Sequence, residues 1–371
     1  MAVSTQRLAK SIVRESLRPK EHEVVLVQTF PHTLELAEQV ALECQRLGAD
    51  PAILLDTDAV FYGQFKHYTQ EQLLRTSGHC LGLGEYVNSY VWLEGPRDPG
   101  PMVRVPREQF SAMYEGEFAH TQKNLQKLPK MVIVESGLVT RERAKAYGLN
   151  YAKWKTMVEA AITVNYRQME ALGKTVAGRL ALSSPAEVRI TAGNGTDLRF
   201  RLAGPERKPA IFDGVISDED LASGKLADRT VHLPAGEVAI APIEESARGT
   251  FVCDVPSPTR GRFVEGLAWT FDGGRVTDYT AKRNLSFAQT NWPEATGQKD
   301  MFGGFGLGLN RKALPGFLEN FFVAGMVTIR IGENRDLGGR NPSSYEFFGF
   351  LSSATVEIAG KTVIEGGKWV I

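Results

Sequence analysis

Apolar positions in the first half of the chain follow two alternating periods. Glu23-Val-Val-Leu-Val-Gln28 is a short apolar run rich in β-branched residues, the pattern of a buried strand. Leu34, Ala37, Val40, Ala41, Cys44 and Leu47 then recur at three- and four-residue spacing. That spacing predicts a helix over 34–47, with Gly48 as its stop signal. Pro51-Ala-Ile-Leu-Leu55 reads as a second strand. Strand, helix and strand in this order predict a parallel pair joined by a right-handed crossover. Tyr86–Glu94 and Met131–Val134 are further strand candidates, and 151–172 reads as one long amphipathic helix with Trp154, Met157, Val158, Ala161 and Val164 on one side.

After this helix the period changes to two. Val188-Arg-Ile-Thr191, Asp197-Leu-Arg-Phe-Arg-Leu202, Phe251-Val-Cys-Asp-Val255 and Val327-Thr-Ile-Arg-Ile331 read as half-buried strands separated by glycine-rich turns. The expected fold class is therefore an α/β N-terminal domain over 1–180 and a mixed, β-rich α+β C-terminal domain over 181–371.

Composition narrows the function classes. With 43 basic and 43 acidic residues the formal net charge is zero. That argues against a protein that binds nucleic acid by bulk electrostatics. No apolar run reaches bilayer-spanning length and the N-terminus lacks a signal-peptide core, so a cytoplasmic protein without a membrane partner is expected. Cys44, Cys80 and Cys253 are odd in number and far apart, which argues against a disulfide framework and a thiolate zinc site and for small buried hydrophobes.

Three segments of the C-terminal third hold the candidate chemistry. Leu233-Pro-Ala-Gly-Glu-Val-Ala-Ile-Ala-Pro242 sets one carboxylate between turn-formers. Gly304-Phe-Gly-Leu-Gly-Leu-Asn310 has glycines at alternate positions but no predicted helix at its end, so it lacks half of a phosphate cradle. Ile331-Gly-Glu-Asn-Arg-Asp-Leu-Gly-Gly-Arg-Asn341 carries a Gly338-Gly339 turn. The last histidine is His232.

Gly195-Thr-Asp-Leu-Arg-Phe-Arg-Leu202, Leu233-Pro-Ala-Gly-Glu-Val238, the glycine segments and Thr355-Val-Glu-Ile-Ala-Gly-Lys-Thr-Val-Ile-Glu-Gly-Gly367 together resemble the M29 peptidase family, the aminopeptidase T type. Gly306-Leu-Gly-Leu-Asn310 resembles more closely the side branch of 2,5-dihydroxypyridine 5,6-dioxygenases. The resemblance implies a homodimer whose C-terminal domain carries the active site. It implies for the peptidases two metals held by two glutamates, two histidines and an aspartate. Motif by motif, the first glutamate falls on Glu237, the second on Gly304, the first histidine on Thr328, and the final His-x-Asp pair on Glu346 and Phe348. The dioxygenase branch implies iron held by two histidines and an aspartate at the Gly304, Glu346 and Phe348 positions. This chain matches neither set, so no catalytic transition metal and no other cofactor is expected.

The candidate catalytic residues are then Glu237, Glu346 and Tyr345. Glu237 packed against Val238 and Ile240 would have a raised pKa and act as a general base; otherwise it is a surface glutamate at a strand start. Glu346 amid aromatics is either functional or paired with an arginine. Tyr345 is either a proton donor or a buried tyrosine satisfying one hydrogen bond. Candidate substrate contacts are Arg330, Thr328 and Phe348, with Glu333 and Arg340 from the following turn. Arg330 would bind a carboxylate or an oxyanion, or else close a salt bridge to Glu237 or Glu346. His232 and His79 are lone histidines; His22, His32, His67 and His120 lie in the first half. Ser343-Ser344 has no histidine near it in sequence.

These readings give an enzyme acting on a small molecule: a metal-independent hydrolase of an amide-like or heterocyclic bond. Two alternatives stand beside it. One is a metal-dependent aminopeptidase or Fe(II) ring-cleaving dioxygenase with atypical ligands. The other is a non-catalytic small-molecule-binding or scaffold protein.

Overall fold

The computed structural model of the protein describes residues 3–93, 95–182 and 185–371, with the backbone alone at 80, 103 and 117–125. The chain divides into two compact units: Met1–Thr163 with Gly214–Pro234, and Val164–Asp213 with Ala235–Ile371.

The first unit is built on strands β1 (Val24–Thr29), β2 (Asp50–Leu55), β3 (Ser89–Trp92), β4 (Lys130–Val134) and β5 (Thr230–Leu233). They form one parallel sheet in the order β2-β1-β3-β4-β5. Val25, Val27, Val91, Val132 and Val134 are fully buried on it, which is what an apolar run without alternation provides. The helix Leu34–Gln45 packs against the sheet through Ala37, Val40 and Cys44, as their spacing predicts.

The second unit holds an eight-stranded antiparallel sheet and a five-stranded antiparallel sheet. The second of these contains β6 (Glu237–Ile240), β7 (Phe302–Gly308), β8 (Val327–Gly332) and β9 (Glu346–Leu351), in the order β9-β8-β7-β6 followed by the short strand Ala210–Phe212. Phe200 of the larger sheet meets Phe302 and Phe305 of β7 with ring centroids 4.9 and 5.1 Å apart, which fixes one face of the smaller sheet against the core.

Two expectations are corrected. The region 151–172 is not one helix but two, Tyr151–Ile162 and Tyr166–Leu180. Asn165 interrupts it, because its side chain accepts from the Gln168 N–H and caps the second helix. The units also exchange at 163/164, not 180, and segment 214–234 returns to the first unit. The causes are local: Gly173 of the second helix lies directly against Ile211 and Val238, whereas β5 completes the parallel sheet beside β4. Among the described residues no helix is long and apolar enough to cross a membrane.

Candidate active site

The five-stranded sheet of the second unit has two unlike faces. Side chains alternate along each strand, and directly paired residues share a face. Val238, Ile240, Phe305, Leu307, Ile329 and Ile331 make one face, each no more than 1% exposed. The register pairs Glu237 with Gly308, Gly306 with Thr328, Gly304 with Arg330, Arg330 with Phe348, and Gly332 with Glu346. Glu237, Thr328, Arg330, Glu346 and Phe348 therefore stand on the other face, contributed by three strands.

Glycine makes room for them. A Cβ on Gly306 would lie 2.1 Å from Glu237 Oε1, so the carboxylate occupies the space above that residue. A Cβ on Gly304 would meet Leu337 at 3.2 Å and Arg330 at 3.3 Å. The alternate glycines of β7 are thus a floor on which side chains from its neighbours rest. β8, expected to be half-buried, is buried on both faces apart from a partly covered Arg330. Leu337 from the turn Arg335–Leu337 packs on Ala239 and Ala241, and Phe321 covers Phe348 and Phe350.

Burial of the Glu237 carboxyl pushes its pKa from 4.5 up to about 7. The Arg330 charge and the nearby Thr328 hydroxyl offset only part of that effect. Thr328 Oγ1 is buried and completes no hydrogen bond of normal geometry among the described residues. A hydroxyl and a near-neutral carboxyl thus lie side by side on one face.

Arg330 has only 12% of its side chain exposed and pairs with Asp336 at 2.7 Å and Glu346 at 2.8 Å. Its guanidinium carbon lies 5.2 Å from the Phe348 ring centroid. The salt bridge to Glu346 is one of the two alternatives the sequence left open for this arginine. Burial raises the Glu346 pKa and Arg330 offsets part of it; its side chain nonetheless keeps 37% exposure.

The other candidates are not brought into this cluster. Tyr345 points to the opposite face, where its hydroxyl donates to the Ala288 carbonyl at 2.8 Å and its ring packs on Trp292. One position separates it from Glu346, and in a strand that reverses the face. Burial pushes its phenol up to about 12, so the hydroxyl stays protonated on that opposite face. Glu333 is bound by Arg335 at 2.7 and 3.0 Å, which holds its carboxyl down at about 2, and it also accepts from the Ser343 N–H. Arg340 is mostly exposed and reaches Glu206 at 3.5 Å. His232 lies on β5 and His79 in the helix Gly78–Tyr86, both in the first unit; the His120 side chain is outside the described residues.

The sequence reading missed Glu244. It is 5% exposed and pairs with the 7% exposed Arg207 at 2.8 Å. Its other oxygen accepts from Asn334 Nδ2 at 3.0 Å and the Arg340 N–H at 2.8 Å. Asn334 Oδ1 accepts in turn from the Asn341 N–H, and Gly339 lies so close that a Cβ would meet Asn334 at 2.1 Å. Burial alone would raise the Glu244 carboxyl, but these donors together hold it below the usual range. The turn carrying Leu337 and Asp336 is therefore clamped from beneath by a buried ion pair. Pro242-Ile-Glu-Glu245 offered no spacing that marks Glu244 as different from Glu245.

The donors on this face do not fit a dizinc or iron centre. Where the resemblance implies ligands there are a glutamate, a glycine, a threonine, an arginine-paired glutamate and a phenylalanine. A guanidinium also shares the face. Among the described residues no group of three or more His, Cys, Asp or Glu could hold a metal ion.

A parallel α/β unit and a β-rich unit whose five-stranded sheet carries these positions make up the M29 peptidase-like scaffold. The family model described as thermophilic metalloprotease (M29) matches residues 145–301, bearing out the resemblance read from the motifs. That match includes Glu237 and ends just before β7. Among solved structures the chain is similar to wild-type AmpT from Thermus thermophilus, with 17% identity, a TM-score of 0.73 and 99% of each chain covered. It is also similar to the 2,5-dihydroxypyridine dioxygenase from Pseudomonas putida, with 13% identity, a TM-score of 0.60, and coverage of 99% of this chain and 98% of that one. No curated protein matches the chain.

Proposed function

We propose that the chain is a metal-independent hydrolase of a small amide-like or heterocyclic molecule, with Glu237 as its general base. One observation carries the reading: the Glu237 carboxyl lies over Gly306, beside Thr328, with its pKa raised to about 7. A base that is about half ionised at neutral pH is close to the optimum for taking a proton from water. In the proposed reaction Glu237 removes that proton while the water oxygen bonds to the substrate carbonyl carbon. The guanidinium of Arg330 faces the oxyanion that forms. Collapse breaks the carbon–nitrogen bond, and the proton reaches the leaving nitrogen from Glu346 or back from Glu237. Asp336 is 58% exposed, so its pair with Arg330 is weak enough to yield to a substrate carboxylate.

The test is hydrolysis of a panel of aminoacyl anilides, lactams and cyclic imides by the full chain in excess EDTA. Turnover that persists in EDTA and falls by about 10²-fold or more in Glu237→Gln supports the reading. Activity that EDTA abolishes and a divalent ion restores contradicts it and favours an atypical metal enzyme. Saturable binding of a panel compound without turnover in either protein contradicts it in favour of a binding protein.

A further inference from the structure

The first unit carries a cavity of about 230 Å³ that plays no part in the proposed hydrolysis. It lies where the parallel strands end. His32 reaches it from the turn Pro31–Thr33 after β1, Arg97 from the segment after β3, and Ser136 from the turn Glu135–Leu138 after β4. The sheet order β2-β1-β3-β4-β5 changes direction between β1 and β3. Open α/β sheets bind ligands outside the carboxyl ends of their strands at such a switch point.

Charge in the lining is balanced. Arg97, Arg141 and Lys155 stand against Glu35, Glu142 and Glu159. A polyanion would meet as much repulsion as attraction there, whereas a molecule bearing both charges is matched. The volume falls below the roughly 300 Å³ at which pockets for drug-sized ligands begin, so the occupant is small.

Hydrogen bonding defines the occupant further. His32 Nδ1, Ser136 Oγ and Glu142 Oε2 are buried and without a hydrogen-bond partner among the described residues. His32 Nε2 lies 2.8 Å from the Gly137 carbonyl, which can only accept, so Nε2 carries the proton. In the neutral ring Nδ1 is then an acceptor. Glu142 uses Oε1 for Arg97 at 3.1 Å, which leaves Oε2 unmet. An imidazole nitrogen, a hydroxyl and a carboxylate oxygen are three acceptors, and an ammonium has three N–H donors. Arg141, 4.6 Å over the Tyr151 ring, pairs with no carboxylate among the described residues and is available to a carboxylate.

We infer that this cavity binds a free α-amino acid, its ammonium held by His32, Ser136 and Glu142 and its carboxylate by Arg141. Shielded polar atoms without partners are destabilising, so a ligand that satisfies them gains more than it would at an exposed surface. The charge balance disfavours a phosphate compound at the same place.

Isothermal titration of the full chain with each standard free α-amino acid, its N-acetyl and amide-blocked forms, and inorganic phosphate tests this. At least one amino acid binds saturably at one site per chain, and blocking either end abolishes it. Arg141→Ala and Glu142→Gln each weaken binding by about tenfold or more. Arg141 is exposed, so its variant tests the site even if Glu142→Gln fails to fold. The inference is overturned if no amino acid binds, if phosphate alone binds, or if blocked forms bind equally well. It is also overturned if Glu237→Gln abolishes binding, which would place the amino acid at the other site.

Discussion

Replacing Glu237 by glutamine should stabilise the protein at alkaline pH and leave it almost unchanged in acid. Burial holds this carboxyl at about 7 in the folded chain, against the ordinary 4.5 expected when unfolded. Between those values the folded protein keeps a proton that the unfolded chain has released. Stability from this group is therefore intact below 4.5, declines as pH rises, and is fully lost above 7. At about 1.4 kcal/mol for each pH unit of separation, the charged form is penalised by about 3 kcal/mol. Glutamine has nearly the same shape and no charge. Relative to wild type, Glu237→Gln should gain about 3 kcal/mol near pH 8 and less than about 0.5 kcal/mol near pH 4. Urea unfolding followed by tryptophan fluorescence reads this directly, since Trp269 is fully buried in the same unit. A gain that is the same at both pH values would refute the reasoning. A wild type that is more stable at pH 8 would refute it too, because Arg330 would then outweigh desolvation.

Three further outcomes follow from the same contacts. Gly306→Ala puts a methyl 2.1 Å from Glu237 Oε1 and must swing the carboxylate away, so hydrolysis should fall by about 10²-fold while the unfolding midpoint changes little. Glu244→Gln leaves Arg207 buried opposite a neutral amide and should cost about 3–5 kcal/mol in urea unfolding, with increased proteolysis at the Glu333–Asn341 turn. Arg330→Met removes the charge that lowers the Glu237 pKa, so the midpoint of Glu237 titration should rise, read from the pH dependence of turnover or of its carboxyl NMR signal.

Local patterns in the sequence carried much of this architecture. The run before Gln28 and the spacing over 34–47 became β1 and the helix Leu34–Gln45, because a parallel sheet needs unbroken apolar strands and amphipathic covers. The alternation of Val327, Ile329 and Ile331 placed Arg330 opposite the apolar face. What was illegible depends on distance. Asn165 as a helix break looks like any polar residue until its side chain is seen to cap. The partnership of Glu244 with Arg207 spans 37 residues, and that with Asn334 spans 90. Tyr345 and Glu346 are neighbours in sequence yet face opposite ways, a distinction that rests on where β9 begins. The cavity beside His32 joins three loops, and none of them carries a motif by itself.

The most direct measurement of the central claim is the titration of the Glu237 carboxyl itself. Its side-chain carbon signal would be assigned in ¹³C-glutamate-labelled protein by its disappearance in Glu237→Gln and followed with pH. The account predicts a midpoint of about 7. A midpoint at or below the ordinary 4.5 would mean that the carboxylate is solvated, or held by a positive charge such as a bound metal ion, and would contradict a near-neutral base on this face.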